Sequence, residues 1–250
     1  MNPNISNRKD IPITILFPNI VTLIGLCFGM SSLKYSLDNR WELSVSLLVI
    51  SAFIDGMDGR LARLLNASSK FGAELDSLTD FVNFGVVPAF ILYLWSLSTL
   101  SIKGLGWAIS LLYIICCAIR LAKFNILLQT PSDNKQFFYG INAPCAAGLS
   151  LIPIMLSFQY EIFIFQTKPF LLALYMLILS LLMVSNIHTI SVKHLKLPNR
   201  LILPSLLLII IFIIALIIEP WITLPIIGIL YIISIPITML YGSKEHNNKS

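Results

Sequence analysis

Four carboxylates fall within one short stretch, Asp55 with Asp58 and then Asp76 with Asp80, in a chain of 250 residues of which only 12% are charged. The stretch from Asp55 to Asp80 reads DGMDGRLARLLNASSKFGAELDSLTD. Residues three or four apart share a face of a helix. Asp55, Asp58, Gly59, Ala62 and Arg63 therefore share one face of one helix. Gly72, Asp76 and Asp80 share a face of the next, after a short polar turn around Asn66 to Lys70. An antiparallel pair of such helices points all four carboxylates into one cleft. Like charges that close repel strongly, so cations are expected between them. Hard oxygen ligands without a Cys or His cluster favour Mg²⁺, Mn²⁺ or Ca²⁺ over zinc. A plain charged loop between two membrane helices would explain neither the two glycines nor the periodicity.

The elements that must hold these residues are membrane helices. The chain is 57% hydrophobic with a mean hydropathy of +0.86, which is too apolar for a soluble domain. A crossing needs about 20 apolar residues, so the length allows roughly eight. Uncharged runs at 11–33, 43–54, 81–102, 104–119, 136–160, 169–192, 201–218 and 220–243 give an all-α, polytopic protein of about eight transmembrane helices. Residues 1–10 and 244–250 are polar tails. No small-residue cleavage site follows the first run, so a cleaved signal peptide is not expected.

Two of the runs are short. A helix over 43–54 covers only about 18 Å and cannot cross a hydrocarbon core of about 30 Å. It must continue through Asp55, Asp58 and Arg63, which puts those charges below the membrane surface, facing a cavity. Intramembrane carboxylates are costly and need a partner, and metal ions supply one. The run 104–119 is also brief and places Arg120 and Lys123 near the same interface. With eight crossings, thirteen of the 17 Lys and Arg fall on the side of both termini and the Asp cluster, and four on the other. That bias puts the termini and the cluster in the cytoplasm. The net charge of +5 belongs to those loops, and no basic patch points to nucleic acid. Cys27, Cys116, Cys117 and Cys145 lie in apolar runs without metal-type spacing and read as packed thiols. Gly25 and Gly29 form a G-x-x-x-G that permits close helix approach, within the chain or between copies.

The spacing D-x2-D-G-x2-A-R-x8-G-x3-D-x3-D resembles that of the CDP-alcohol phosphotransferase family, membrane enzymes that make phospholipids. The resemblance covers about residues 15–200, a six-helix membrane domain over 11–200; the last two helices, 201–243, match only in being hydrophobic. Arg120-Leu-Ala-Lys-Phe-Asn125 is similar to the R-L-A-R-F-N run of the phosphatidylserine synthase branch. Leu75-Asp76-Ser77-Leu78, Phe84-Gly85 with Pro88-Ala89, Phe138 to Pro144, and Leu182-Met183-Val184-Ser185 with Lys193 following are similar to that branch as well. Asn142 stands where a proline is usual, and Lys123 stands where the branch often has Arg, losing the bidentate fork.

The resemblance implies transfer of a phosphatidyl group from CDP-diacylglycerol to the hydroxyl of L-serine, with CMP released. It also implies a homodimer in the cell membrane (a bacterial inner membrane). Asp55, Asp58, Asp76 and Asp80 would share two divalent ions, Mg or Mn, with Asp80, assisted by Asp76, as the base for the acceptor hydroxyl. Asn19, Thr22, Gly59, Ala62, Arg63 and Gly72 would border the CDP group and its phosphates. Read without the family, Pro18, Asn19 and Thr22 are a helix start. Arg120 and Lys123 suit the carboxylate of serine, or snorkel to headgroups. Other acceptors of the family are glycerol-3-phosphate, inositol phosphate and choline. A cation transporter would also carry intramembrane carboxylates, but it leaves the Gly59, Ala62, Arg63 and Gly72 pattern without work. His188, His194 and His246 read as interfacial loop residues. His194-x-Lys196 lacks the Asp of an H-x-K-x4-D motif, since Leu201 stands there.

Overall fold

The computed structural model describes residues 16–129 except 66 and 68, then 138–160, 163–185, 188–189 and 202–247. Residues 1–10, Lys135, residues 193–200 with His194, and Lys249 lie outside the described residues.

Eight helical rods account for nearly all of it. The first is α1 (Leu16–Leu37) and the second α2 (Trp41–Leu64). The third is built from α3 (Lys70–Asp80), a π-helical turn (Phe81–Val86) and α4 (Val87–Trp95), and the fourth is α5 (Leu105–Gln129). The fifth joins α6 (Ala143–Ser150) to α7 (Ile152–Tyr160). After the short α8 (Ile164–Thr167) come α9 (Pro169–Val184), α10 (Ile202–Ile218) and α11 (Pro220–Asn247). Four of the rods, at 16–37, 70–95, 105–127 and 143–160, are long and apolar enough to cross a membrane, and α9, α10 and α11 supply shorter apolar stretches. At 24 residues, α2 is about 36 Å long, so it does run on through Asp55, Asp58 and Arg63. This is a multi-pass, all-helical membrane protein. Its strand content among the described residues is one two-residue antiparallel pairing, Phe138–Tyr139 (β1) with His188–Thr189 (β2).

Several boundaries differ from the hydropathy runs, each for a local reason. The third rod begins at Lys70, because Ser69 caps it by accepting the Gly72 N–H at 3.0 Å. It stops at Trp95, before the 3₁₀ turn at 97–99. Within the run 136–160, α6 begins at Ala143, with Pro144 in the first turn. The 169–192 helix ends at Val184, and α11 carries helix to Asn247, into the expected tail. The largest departure is α5. It is not short: it continues to Gln129, which sets Arg120 and Lys123 within the helix and not at its end. Arg120 is tolerated there because it is buried in protein and its Nε donates to the Ile141 carbonyl at 3.2 Å.

The pairing of α1 with α2 shapes the site. Between Leu37 and Trp41 the chain reverses through Asn39 at φ 58°, a left-handed residue of the kind that ends helices. Ser32 and Ser44 exchange hydroxyl-to-carbonyl bonds at 2.6 and 2.9 Å, and Ser51 Oγ donates to the Gly25 carbonyl at 2.8 Å. Small polar residues join membrane helices in this way. The G-x-x-x-G is spent inside the chain. Gly25 meets Ile54 of α2, and Gly29 lies so close to the Asn83 amide that a Cβ there would overlap it. The core behind these helices includes Val45, Leu48, Phe84, Val87, Ile91, Leu92 and Tyr113. Tyr113 donates its hydroxyl to the Phe84 carbonyl at 3.2 Å, within the π-helical turn. Such turns interrupt the regular ladder and are frequent near functional sites.

Candidate active site

The lower half of α2 and the start of the third rod stand side by side against the start of α1. Between them lies a cleft of about 180 Å³. Every residue expected to border the nucleotide lines it: Asn19 and Thr22 from α1, Gly59, Ala62 and Arg63 from α2, and Gly72 from α3. Asp58 and Asp76 line it too. The i, i+3 and i+4 spacing has therefore gathered one wall from each of three helices.

The two glycines have different neighbourhoods. A Cβ at Gly59 would meet nothing within 4 Å, so hydrogen here leaves open cleft against the helix backbone. A Cβ at Gly72 would come within 2.7 Å of Asn19 Oδ1 and 3.1 Å of Ser69 Oγ. Gly72 thus lets Asn19 close over the capped start of α3. Ser69 carries a sequence signal of its own, a Ser one position before the helix and three before the glycine.

Three of the four carboxylates converge. One oxygen from each of Asp55, Asp76 and Asp80 lies within 4.8 Å of the others. Asp58 is outside that group: it is buried, and its Oδ2 accepts the Thr22 hydroxyl at 2.7 Å. Asp76 belongs to both the trio and the cleft wall. Asp55 Oδ1 and Asp80 Oδ1 are buried with no hydrogen-bond partner. The ion pair found among the described residues, Lys34 with Asp38 at 2.8 Å, lies at the far end of α1. Buried carboxylate oxygens without protein donors, close together and with no His or Cys among them, are the donor set of a hard divalent cation. The acidic cluster is compatible with a divalent metal. One turn further on, Thr79 and Asn83 are also buried, and their side-chain polar atoms are unpartnered. Nothing in the sequence alone marked those two.

Arg120 and Lys123 lie in a separate cavity of about 280 Å³, closed by Met183, Val184 and Ser185 at the end of α9. Three of the segments similar to the phosphatidylserine synthase branch, within 120–125, 138–144 and 182–185, meet here. Arg120 holds the Ile141 carbonyl. Gly140, at φ 72°, lies against the carbonyls of Leu182, Met183 and Ser185, where a Cβ would come within 2.7 Å of Met183 O. The same stretch of α5 reaches the carboxylate helix, since Asn125 Nδ2 donates to Ser77 Oγ at 2.8 Å, one residue from Asp76.

The fold and the site are those of a multi-pass helical membrane protein whose buried carboxylates, compatible with a divalent metal, lie beside a cleft bordered by open helix backbone. The chain belongs to the CDP-alcohol phosphatidyltransferase family, whose model matches residues 15–239, α10 and most of α11 included. It is 33% identical over 235 residues to a protein of Mycobacterium leprae, covering 92% of this chain and 76% of that one. A Helicobacter pylori protein is 39% identical over 181 residues, 72% of this chain and 74% of its own. A protein of Methanocaldococcus jannaschii is 32% identical over 196 residues, 78% and 80% respectively. Each of the three is named CDP-diacylglycerol–serine O-phosphatidyltransferase.

Proposed function

We propose that this protein transfers the phosphatidyl group of CDP-diacylglycerol to L-serine, giving phosphatidylserine and CMP. The observation that carries the reading is the shared position of Asp76. It lies in the wall of the cleft bordered by Asn19, Thr22, Gly59, Ala62, Arg63 and Gly72, and in the carboxylate trio with Asp55 and Asp80.

The serine hydroxyl oxygen forms a bond to the phosphorus that carries diacylglycerol. The bond from that phosphorus to the bridging oxygen breaks, and CMP leaves with the electron pair. Asp80 takes the hydroxyl proton, with Asp76 beside it, as a positioned carboxylate base. Asp55, Asp58, Asp76 and Asp80 would hold two divalent ions, Mg or Mn, which would supply neutralisation of the charge developing on the phosphate. The protein itself supplies placement. Gly59 admits the diphosphate to the helix backbone, Ala62 keeps the same face low, and Arg63 pairs with a phosphate. Thr22 orients Asp58. Arg120 and Lys123 receive the serine carboxylate, and the Asn125–Ser77 bond sets their helix against the one bearing Asp76 and Asp80.

The six helices over 11–200 form the catalytic domain, with the helices over 201–243 added to it. The Lys and Arg bias puts the cleft and both termini on the cytoplasmic side of a bacterial inner membrane, and the active form is a homodimer. An acceptor panel tests the reaction. Serine, glycerol-3-phosphate, inositol phosphate and choline are supplied in turn with CDP-diacylglycerol and the lipid products identified by mass. Phosphatidylserine is the expected product, and a preference for any other acceptor would reject serine.

A further inference from the structure

Beside the carboxylates, on the same rod, two polar side chains are buried in a setting where unpaired polar groups are costly. Thr79 is 2% exposed and Asn83 is fully buried, and Thr79 Oγ1, Asn83 Oδ1 and Asn83 Nδ2 have no hydrogen-bond partner among the described residues. Asn83 follows Thr79 by four residues and Asp80 by three, the spacings that bring helical side chains together. Thr79 leaves its nearest outlet unused. Ser110 and Ser180, also buried in helices, bond back to the carbonyl four residues earlier, at 3.1 and 2.7 Å. Thr79 makes no such bond.

Asn83 is held in place from two sides. It lies in the π-helical turn Phe81–Val86, which the Tyr113 hydroxyl clamps at the Phe84 carbonyl, at 3.2 Å. Across from it Gly29 of α1 has no Cβ, and the amide fills that space. Asn83 Oδ1 lies against the Gly29 Cα–H, a weak acceptor contact. Nδ2 stands farther off, 3.5 Å from where a Cβ would be, so the N–H donors are turned from Gly29.

These atoms decide what they can hold. A cation would suit Thr79 Oγ1 but be repelled by the N–H pair of Asn83. Water both accepts and donates. It can take an Nδ2–H, pair with the Thr79 hydroxyl and donate to a carboxylate, about three partners, the usual complement of a buried water. Asp80 Oδ1 is buried and has no protein donor. A carboxylate accepts at roughly four sites, so Asp80 can serve an ion and still accept this bond.

We propose that Thr79 and Asn83 hold one buried water against Asp80, which makes Asn83 a positioning residue for the carboxylate trio. The water keeps the Asp80 side chain in one orientation, as outer hydrogen-bond partners orient metal ligands in general. The role rests on Asp80 serving the ion and the acceptor hydroxyl, as proposed above.

The test titrates Mn²⁺ alone into the full chain in detergent and follows bound ion by electron paramagnetic resonance, with melting temperature and steady-state kinetics alongside. Asn83→Leu keeps the volume and removes both polar atoms. Its Mn²⁺ affinity should fall about tenfold or more, as for other outer partners of metal ligands, and kcat should fall with it. The KM values for CDP-diacylglycerol and serine should stay, because Asn83 lines neither the cleft nor the Arg120 cavity. Thr79→Val removes another partner of the water and should weaken Mn²⁺ binding several-fold, and Thr79→Ser should restore it. The Thr79 pair carries the test alone if Asn83→Leu does not fold. Unchanged Mn²⁺ affinity in Asn83→Leu or Thr79→Val would overturn the role, and a lowered melting temperature beside it would mark the residue as merely structural. A structure with ordered solvent but no water within hydrogen-bond distance of both Asn83 Nδ2 and Asp80 Oδ1 would overturn it too. A wild type that binds no Mn²⁺ would overturn the metal site and this role together. A wild type that binds Mn²⁺ but makes no phosphatidylserine would overturn the reaction alone, and the Mn²⁺ affinities of the variants would still decide for or against the water.

Discussion

Thr22 Oγ1 donates to Asp58 Oδ2 at 2.7 Å, from the start of α1 to the lower half of α2. Thr22 is also within 3.1 Å of the Pro18 carbonyl, but a hydroxyl has one proton, and the carboxylate is the nearer and stronger acceptor. The bond fixes the one aspartate that stands outside the close trio, in the wall of the cleft. It also ties down the α1 segment that brings Asn19 against Gly72.

Thr22→Val keeps the shape and removes the donor. A hydrogen bond to a charged group is worth about 1.5–3 kcal/mol, or one to two powers of ten at about 1.4 kcal/mol each. The KM for CDP-diacylglycerol should rise by about that factor, Thr22→Ser should restore it, and the KM for serine should stay. An effect on serine alone would dissociate Thr22 and Asp58 from the donor.

Gly59→Ala separates stability from binding. Ala favours a helix interior over Gly by about 1 kcal/mol, and the new methyl meets no neighbour. The protein in detergent should therefore melt slightly higher, while the donor KM rises several-fold as the methyl enters the diphosphate's space. Higher stability with an unchanged donor KM would show that nothing approaches that face.

Arg120→Ala tests the second cavity. It should cost about 1.5–3 kcal/mol of acceptor affinity, raising the serine KM about ten- to a hundredfold with little change for the donor. Ethanolamine, which lacks the carboxylate, should be a poor acceptor for the wild type, and its disadvantage should vanish in the variant. Arg120→Lys, which keeps the charge and loses the fork, should fall between the two. A higher KM for the donor with serine unaffected would assign Arg120 to lipid headgroups.

The cleft was legible in the sequence because helical periodicity is local. Asp55, Asp58 and Gly59, then Gly72 and Asp76, needed only their spacing to fall on facing surfaces. The uncharged run 43–54 was too short to cross, and that alone required α2 to carry its charges inward. What escaped depended on contacts between distant segments. Arg120 ended an apolar run on paper, yet α5 passes through it, because the Ile141 carbonyl accepts its Nε. The close approach of Asn83 to Gly29, and the Ser77–Asn125 bond, join residues 54 and 48 positions apart, which no helical period reports. The split between Asp58 and the other three carboxylates was equally hidden. It comes from Thr22 on a neighbouring helix, not from the spacing of the aspartates.

The charge bias gives a topology to measure. In a background without cysteines, Lys70→Cys, at the cluster end of the third rod, should be shielded from an impermeant thiol reagent in intact cells. Ser101→Cys, beyond the other end of that rod, should be labelled. Labelling at position 70 with shielding at 101 would reverse the orientation and put the cleft outside.

The most direct measurement combines chemistry and base in one assay. Purified protein is given CDP-diacylglycerol, isotopically labelled L-serine and Mg²⁺ or Mn²⁺, and CMP and labelled lipid are counted together. The wild type should release CMP and form labelled phosphatidylserine in equal amounts, only with serine present, and stop on chelation of the metal. Asp80→Asn should all but abolish both while still binding CDP-diacylglycerol. CMP release without serine, lipid product without the label, or full turnover by Asp80→Asn would contradict the account.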